Sequence, residues 1–336
     1  MLKVLTVSIG IALAFAVGCH QTNEVVDVQR PRISLTVFHL PRLGPGEGYY
    51  QLWAKFVIFD RPAQADSPQH DSSAVSLGEF NVTTDGRGVV GLDGNPVRFA
   101  IPPDQDPQLL DLVFISVQLP DSASDDVGPT FLAGRVTGDV STAVADMDVA
   151  HAAALGSTFS SVTGGFTIIA PTSPADSNSG VWFIEKQGAA ISAGLRNLPV
   201  LPRGWRYEGW IDREVQAAPG GPTNHLFSTG KFLRADSADF DGAGPGSGPG
   251  GGLNFPGQDF INSIPSGTPS RPDLRLFTFM VTVEPEPDNS PAPFPLTILS
   301  TTLPSEPLPQ GRTLLMNNVA STSFPRARVT IIRSGY

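Results

Sequence analysis

Hydrophobic residues in this chain occur in short runs that are bounded by glycine, proline, aspartate or asparagine. An amphipathic helix would repeat apolar residues every three to four positions over a longer stretch, so the short runs predict β-strands. The clearest runs are Ile33–Phe38, Tyr49–Phe59, Phe166–Ala170, Val181–Ile184, Leu274–Val283 and Arg328–Ile332. Their number, and the dense turn signals between them, predict an all-β chain of sandwich or barrel type.

One stretch, Val140–Leu155, leaves the choice between helix and strand open. It is rich in alanine, which favours a helix. Its segment Ser141–Met147 also alternates apolar and polar residues, as a strand with one buried face does.

Matched segments divide the chain into two halves. In each half a tyrosine comes three positions before a tryptophan in an aromatic strand, at Tyr50 and Trp53 and again at Tyr207 and Trp210. Two further segments recur in the same order, a Ser-x-Gly-x-Phe segment and a strand that ends near proline, at residues 76–80 and 228–232, and at residues 114–120 and 280–285. Two copies of one β-domain explain this order; convergent strand composition is the alternative.

We therefore predict two tandem β-sandwich-like domains, at residues 32–145 and 160–336. The second is expected to contain a long loop at residues 242–272, because glycine and proline dominate the start of that stretch. The whole chain of 336 residues has 35 glycines and 32 prolines, which disfavour helix. Hydrophobic residues make up 40% of it, enough to form a core.

The N-terminus has the features of a secretory signal. Lys3 supplies a positive charge, and short side chains precede Cys19 as at a cleavage site. The mainly apolar stretch Val4–Val17 has about 14 residues, whereas a membrane-spanning helix needs about 20. We expect residues 1–18 to be a signal peptide that is removed on export.

Cys19 is the single cysteine of the chain. The segment around it resembles the bacterial lipobox, in which the cysteine carries fatty acyl chains such as palmitate. The resemblance implies an exported lipoprotein that Cys19 holds at a membrane, with residues 19–31 as a tether, because two or more acyl chains anchor stably. His20 in place of aspartate favours the outer membrane, on its periplasmic or surface side. An ordinary signal peptide with a chance cysteine is the alternative.

The charge of the chain restricts its partners. Its formal net charge is −10, and charged residues are 16% of the total. An acidic surface argues against nucleic acid as a partner and against electrostatic docking on anionic lipid. The expected partners are the membrane, through the N-terminal lipid, and another envelope protein.

Two strings carry a resemblance to a known family. Residues 50–53 (Tyr-Gln-Leu-Trp) and residues 277–293, with their Val-Thr-Val-Glu-Pro strand and Ser/Pro-rich turn, resemble the extracytoplasmic β-domain of anti-sigma-K factors. The segment from Ser179 to Trp210 is also similar to tandem lipoproteins that carry this domain. The resemblance implies a β-fold in the cell envelope. Anti-sigma factors grip the sigma factor with a cytoplasmic segment, and an exported chain has none there, so we expect no direct contact with a sigma factor.

Catalytic and metal-binding motifs are sparse. The chain lacks a Gly-x-Ser-x-Gly elbow and a P-loop, and its histidines are dispersed at His20, His39, His70, His151 and His225. We therefore predict a protein that is not an enzyme and needs no cofactor. Asp236, Asp239 and Asp241 form a weak calcium candidate beside a glycine, with a solvated acidic loop as the alternative.

The paired aromatic residues provide candidates for a binding surface. Neighbouring residues of a strand point to opposite faces, so some of Tyr50, Trp53, Tyr207 and Trp210 could meet a partner or ligand. The alternative places all four in the sandwich core. The sequence favours a lipid-anchored, non-enzymatic binding or structural module of the cell envelope. The second hypothesis is a carbohydrate-binding or calcium-assisted glycan-active envelope protein.

Overall fold

The computed structural model describes most of the chain after the predicted tether. The described residues are 31–57, 74–120, 126–171, 173, 175, 180–215, 223–240, 255–259, 277–287, 290, 292–303 and 311–333. Their regular secondary structure is nearly all β-strand, and their α-helix is the single turn α1 (Ala320–Ser323). This confirms the predicted all-β, sandwich-like class. The predicted signal peptide and Cys19 lie outside the described residues.

The strands fall into two groups along the chain. The first group is β1 (Arg32–Phe38), β2 (Tyr49–Phe56), β3 (Val75–Val82), β4 (Val89–Val90), β5 (Leu110–Gln118), β6 (Thr130–Arg135), β7 (Thr137–Gly138) and β8 (Thr142–Met147). The second group is β9 (Gly164–Ile168), β10 (Gly180–Trp182), β11 (Ile184–Gln187), β12 (Ala190–Ala193), β13 (Trp205–Val215), β14 (Thr223–Phe232), β15 (Gly257–Asp259), β16 (Thr278–Pro285), β17 (Thr297–Thr302), β18 (Thr313–Asn318) and β19 (Arg326–Ile332).

The stretch that was open between helix and strand forms β8 and the turns after it. Ala143, Ala145 and Met147 are buried along one face of β8, whereas Thr142 and Asp146 are exposed on the other. Period-two alternation therefore decided the structure here over the helix propensity of alanine.

Two sheets form what we call the first unit. A five-stranded sheet has the order β4-β3-β2-β5-β6, and a four-stranded sheet has the order β1-β19-β8-β7. All named pairs in them are antiparallel. Isolated bridges link the two sheets on both sides, at Ile33 with Phe99 and at Ala133 with Asp148. The first unit is therefore a sandwich with joined edges.

An eight-stranded antiparallel sheet, in the order β14-β13-β16-β17-β18-β9-β10-β15, and a two-stranded antiparallel sheet of β11 and β12 form the second unit. The eight-stranded sheet curls over itself. Phe166 on β9 stacks on Phe279 on β16 with ring centroids 4.3 Å apart, although two strands separate β9 from β16 in the sheet. Its two end strands also meet: the backbone N–H of Gly257 on β15 donates to Oδ2 of Asp239, just after β14, at 3.0 Å. The core of this unit lies inside the curl and is continuous with the core of the first unit.

The last strand corrects the predicted domain boundary. β19 belongs to the predicted second domain, residues 160–336, but pairs with β1 on one side and β8 on the other. β9 instead pairs with β18 and β10 in the second unit. The first unit thus consists of β1 to β8 completed by the C-terminal strand, and the second is continuous from β9 to β18. Local alternation identifies a strand but not its partner, so the sequence could not show this exchange.

Candidate functional site

The structure places the predicted aromatic surface in the core. Tyr50 and Tyr207 are each 0% exposed. The hydroxyl of Tyr50 donates to the carbonyl oxygen of Pro41 at 3.1 Å, and that of Tyr207 donates to the carbonyl oxygen of Pro199 at 2.6 Å. Burial raises the pKa of both phenols, so both stay protonated as donors. The two halves therefore make the same hydrogen bond at matched positions.

The two tryptophans repeat this equivalence. Trp53 is 2% exposed and Trp210 is 3% exposed. The indole N–H of Trp53 donates to Oγ of Ser116, and that of Trp210 donates to Oγ1 of Thr282, both at 2.9 Å. The prediction that these four aromatic residues could form a partner surface is wrong, because both faces of their strands are covered. Period two tells which face a residue takes, but not what lies above it.

The acidic cluster does not converge within the described residues. Both carboxylate oxygens of Asp236 accept from the guanidinium of Arg234, at 2.8 and 2.7 Å. Asp239 is 7% exposed and accepts from the Gly257 backbone. Asp241 lies outside the described residues. In the part of the chain that the structure describes, His, Cys, Asp and Glu form no group of three or more that could hold a metal ion.

A groove of about 1020 Å³ lies where the chain passes between the two units. Two connections wall it: residues 148–163, which run from β8 to β9, and residues 319–325, which run from β18 to β19. We call it the junction groove; its lining residues are Thr36, Phe38, His39, Asp146, Met147, Asp148, Val149, Ala150, Thr158, Ser160, Ala320, Ser321, Phe324, Pro325, Arg326, Ala327 and Arg328. Its volume is comparable to that of small-molecule and cofactor sites.

The two connections are fastened to each other. The rings of Phe159 and Phe324 meet edge to face, with centroids 5.4 Å apart. The side-chain amide of Asn318 donates to the carbonyl oxygens of Phe159 and Val162, both at 2.8 Å. These contacts fix the two walls of the junction groove relative to one another.

Backbone strain occurs on both sides of the groove. Phe159, with φ of 56°, and His39, with φ of 54°, take the left-handed conformation without being glycine. Such a conformation costs about 1–3 kcal/mol for a bulky residue and often marks a functional site. The ring of Phe159 is buried, and its neighbours Thr158 and Ser160 line the groove. The strained turn thus fixes a pair of hydroxyl groups at the groove wall.

The lining of the groove combines buried apolar residues with exposed ones. Met147 and Ala327 are 2% and 3% exposed, whereas Phe38 at the end of β1 is 54% exposed. Phe38 and Arg326 are direct partners in the register of β1 and β19, so both side chains stand on the same outer face. The rim therefore combines an exposed aromatic ring with a neighbouring guanidinium.

Charges in the groove are unequally compensated. Arg328 donates to both carboxylate oxygens of Asp146, at 2.6 and 2.9 Å, and these hydrogen bonds lower the pKa of Asp146. Asp148 caps its own turn, since its Oδ1 accepts from the backbone N–H groups of Ala150 and His151. Arg326 is exposed and makes no ion pair with any described residue. Its guanidinium is therefore open to an anion from outside.

Sequence reasoning missed this site because its parts come from distant segments. The alternation of Arg326 and Arg328, and of Asp146 and Asp148, indicates that each pair lies on one strand face. That signal shows neither that β19 pairs with β8 nor that Phe38 joins the same face.

Comparison with protein-family models, with curated proteins and with solved structures finds no match to this chain. Among the described residues, no helix is both long and apolar enough to cross a membrane. An exposed ring, a guanidinium and several hydroxyls are groups with which a polar ligand can interact.

Proposed function

We propose that this chain is a lipid-anchored protein of the cell envelope, and that its folded part binds an envelope polysaccharide in the junction groove. The observation that carries the proposal is the groove itself, of about 1020 Å³, between two connections that are fastened together. The resemblance to anti-sigma-K extracytoplasmic domains agrees with an envelope module.

The hydroxyl groups that line the groove favour a polysaccharide over an apolar ligand. Thr36, Thr158, Ser160 and Ser321 are exposed hydroxyl residues that line the groove. Each hydroxyl donates and accepts, which matches the many hydroxyls of a sugar chain. Phe38 adds an exposed apolar ring against which the C–H face of a sugar can pack. This observation also favours the carbohydrate-binding hypothesis over its calcium-assisted form.

Binding can be tested by co-sedimentation of the purified full chain, in detergent, with isolated peptidoglycan and with immobilised outer-membrane polysaccharide. Ser321→Trp should block the groove and abolish sedimentation. Val200→Trp is the matched control, because Val200 is 95% exposed and does not line the groove. Loss with Ser321→Trp alone supports the proposal. Equal sedimentation of both variants, or none with the native chain, would contradict it.

Anchoring is tested separately by metabolic labelling with an alkyne fatty acid. The native chain should carry the label and enter the membrane fraction, and Cys19→Ala should carry none. A labelled Cys19→Ala variant, or an unlabelled native chain, would overturn the lipoprotein assignment.

A further inference from the structure

We propose that the junction groove selects acidic sugars, with Arg326 binding the sugar carboxylate and Phe38 packing against the same sugar ring. This inference rests on the proposed polysaccharide binding and specifies its ligand class. It follows from the register of β1 and β19, which places Phe38 directly opposite Arg326 on one exposed face. A ligand that uses both residues must therefore carry an apolar face and an anionic group within the span of one sugar residue.

The charge distribution points to a carboxylate rather than to a cation. The chain is acidic overall, with a net charge of −10. Arg326, Arg32 and Arg98 are exposed and make no ion pair with a described residue, and of these three Arg326 lines the groove. The neighbouring Arg328 is already neutralised by Asp146 through two hydrogen bonds. Asp148 is engaged by two backbone N–H groups. Arg326 thus remains the arginine in the groove that can take a new anionic partner.

The guanidinium geometry suits the carboxylate of an acidic sugar. Arginine presents a planar fork of N–H donors that matches the two oxygens of a carboxylate, and such charge-assisted pairs are about twice as strong as neutral ones. The Arg328–Asp146 pair shows that a guanidinium on this face of β19 can make that fork. Arg326 lies two positions earlier on the same strand and the same face.

A printed array of oligosaccharides in matched pairs tests the selection. Each pair holds one acidic oligosaccharide, such as tetragalacturonate, and its methyl ester of the same length. The full chain should bind at least one acid form about 10-fold or more tightly than its ester, because the ester keeps the sugar face and loses the charge. Added salt should reduce this preference.

Variants assign the two roles. Arg326→Gln should remove the preference for the acid, because it weakens acid binding more than ester binding, and Arg326→Lys should keep part of the preference. Phe38→Ala should weaken acid and ester by the same factor. Arg234→Gln, an exposed arginine of the second unit, is the control and should change neither. Unchanged melting temperatures show that each variant is folded.

The outcomes separate this inference from the proposed function. If acid and ester bind equally and Ser321→Trp abolishes both, polysaccharide binding stands and the selectivity is wrong. The same holds if Arg326→Gln keeps the native preference. If neither form of any pair binds, the inference is overturned, and the sedimentation assay then decides the proposed function alone.

Discussion

The two units share one framework and differ in the polar pair at its centre. In the first unit Gln51 and Gln118 lie on adjacent strands, and the amide of Gln118 donates to Oε1 of Gln51 at 2.8 Å. The matched positions in the second unit hold Glu208 and Glu284. All four side chains are at most 4% exposed.

The second unit buries two carboxylates, which accept hydrogen bonds, at the positions where the first unit has two amides, which both donate and accept. Both carboxylate oxygens of Glu284 accept from the backbone N–H of Phe294, at 3.0 and 2.9 Å, and Oε1 of Glu208 accepts from the hydroxyl of Ser228 at 2.5 Å. The framework therefore tolerates either pair, provided that neighbouring groups donate hydrogen bonds to the buried acceptors.

Closure is the second difference between the units. The second unit is complete between β9 and β18, whereas the first needs β19 from the far end of the chain. The predictions below test these two differences and the framework that the units share.

The largest effect is expected from Val329→Asp. Val329 is 0% exposed on β19, so an aspartate would place an unpaired charge in the core, at a cost of about 4 kcal/mol or more in the free energy of unfolding. Hydrogen-exchange mass spectrometry should show loss of protection in β1 and β8 before the second unit. Leu315→Asp, at a position 78% exposed on β18, should change stability by less than about 0.5 kcal/mol. Earlier loss in β13 and β16 would refute the closure by β19.

A single substitution in the polar pair should lower the free energy of unfolding in both units, and by more in the first. Gln118→Glu removes the donor to Gln51 and to the carbonyl oxygen of Asp126, and should cost about 3 kcal/mol. Glu284→Gln keeps one acceptor for Phe294 and should cost about 1–2 kcal/mol. Urea denaturation measures both. A larger cost for Glu284→Gln would reverse the comparison.

The hydrogen bond from a tyrosine hydroxyl to a proline carbonyl should stabilise the two units equally. Tyr50→Phe and Tyr207→Phe each leave a proline carbonyl without its donor and should lower the free energy of unfolding by about 1 kcal/mol. Tyr49→Phe is the matched control, because its half-buried hydroxyl makes only a 3.4 Å contact with Glu79. Unequal effects in urea denaturation would show that the two tyrosines are not equivalent.

The smallest effect concerns the exposed pair of Asp146 and Arg328 in the first unit. The hydrogen bonds from Arg328 lower the pKa of Asp146 from its ordinary value of 3.8, so the pair stabilises the fold above that value and is lost as the pH falls below it. Because the side chains are 68% and 56% exposed, solvent screening keeps the contribution of the pair small. Asp146→Asn should therefore differ from the native chain in urea midpoint at pH 6, and this difference should shrink as the pH falls below 3.8. A difference that stays the same below that pH would contradict this origin.

Local patterns predicted the strands better than their partners. The run Ile33–Phe38 became β1 (Arg32–Phe38), and Arg328–Ile332 became β19 (Arg326–Ile332), because period-two alternation is a property of the segment itself. The pairing of β1 with β19 depends on contacts across the whole chain, which alternation cannot report. For the same reason the sequence drew attention to Tyr50 and missed Arg326: it shows which residues are aromatic or charged, but not what covers them.

The central claim, that the junction groove binds envelope polysaccharide, is tested most directly by photo-crosslinking in living cells. p-Benzoylphenylalanine replaces Phe38 at the groove rim or, as a control, Leu315, which is exposed on the second unit. Illumination should attach sugar to the peptide that contains residue 38 and not to the peptide that contains residue 315, as read by mass spectrometry. Equal attachment at both positions, or no sugar at position 38, would contradict the account.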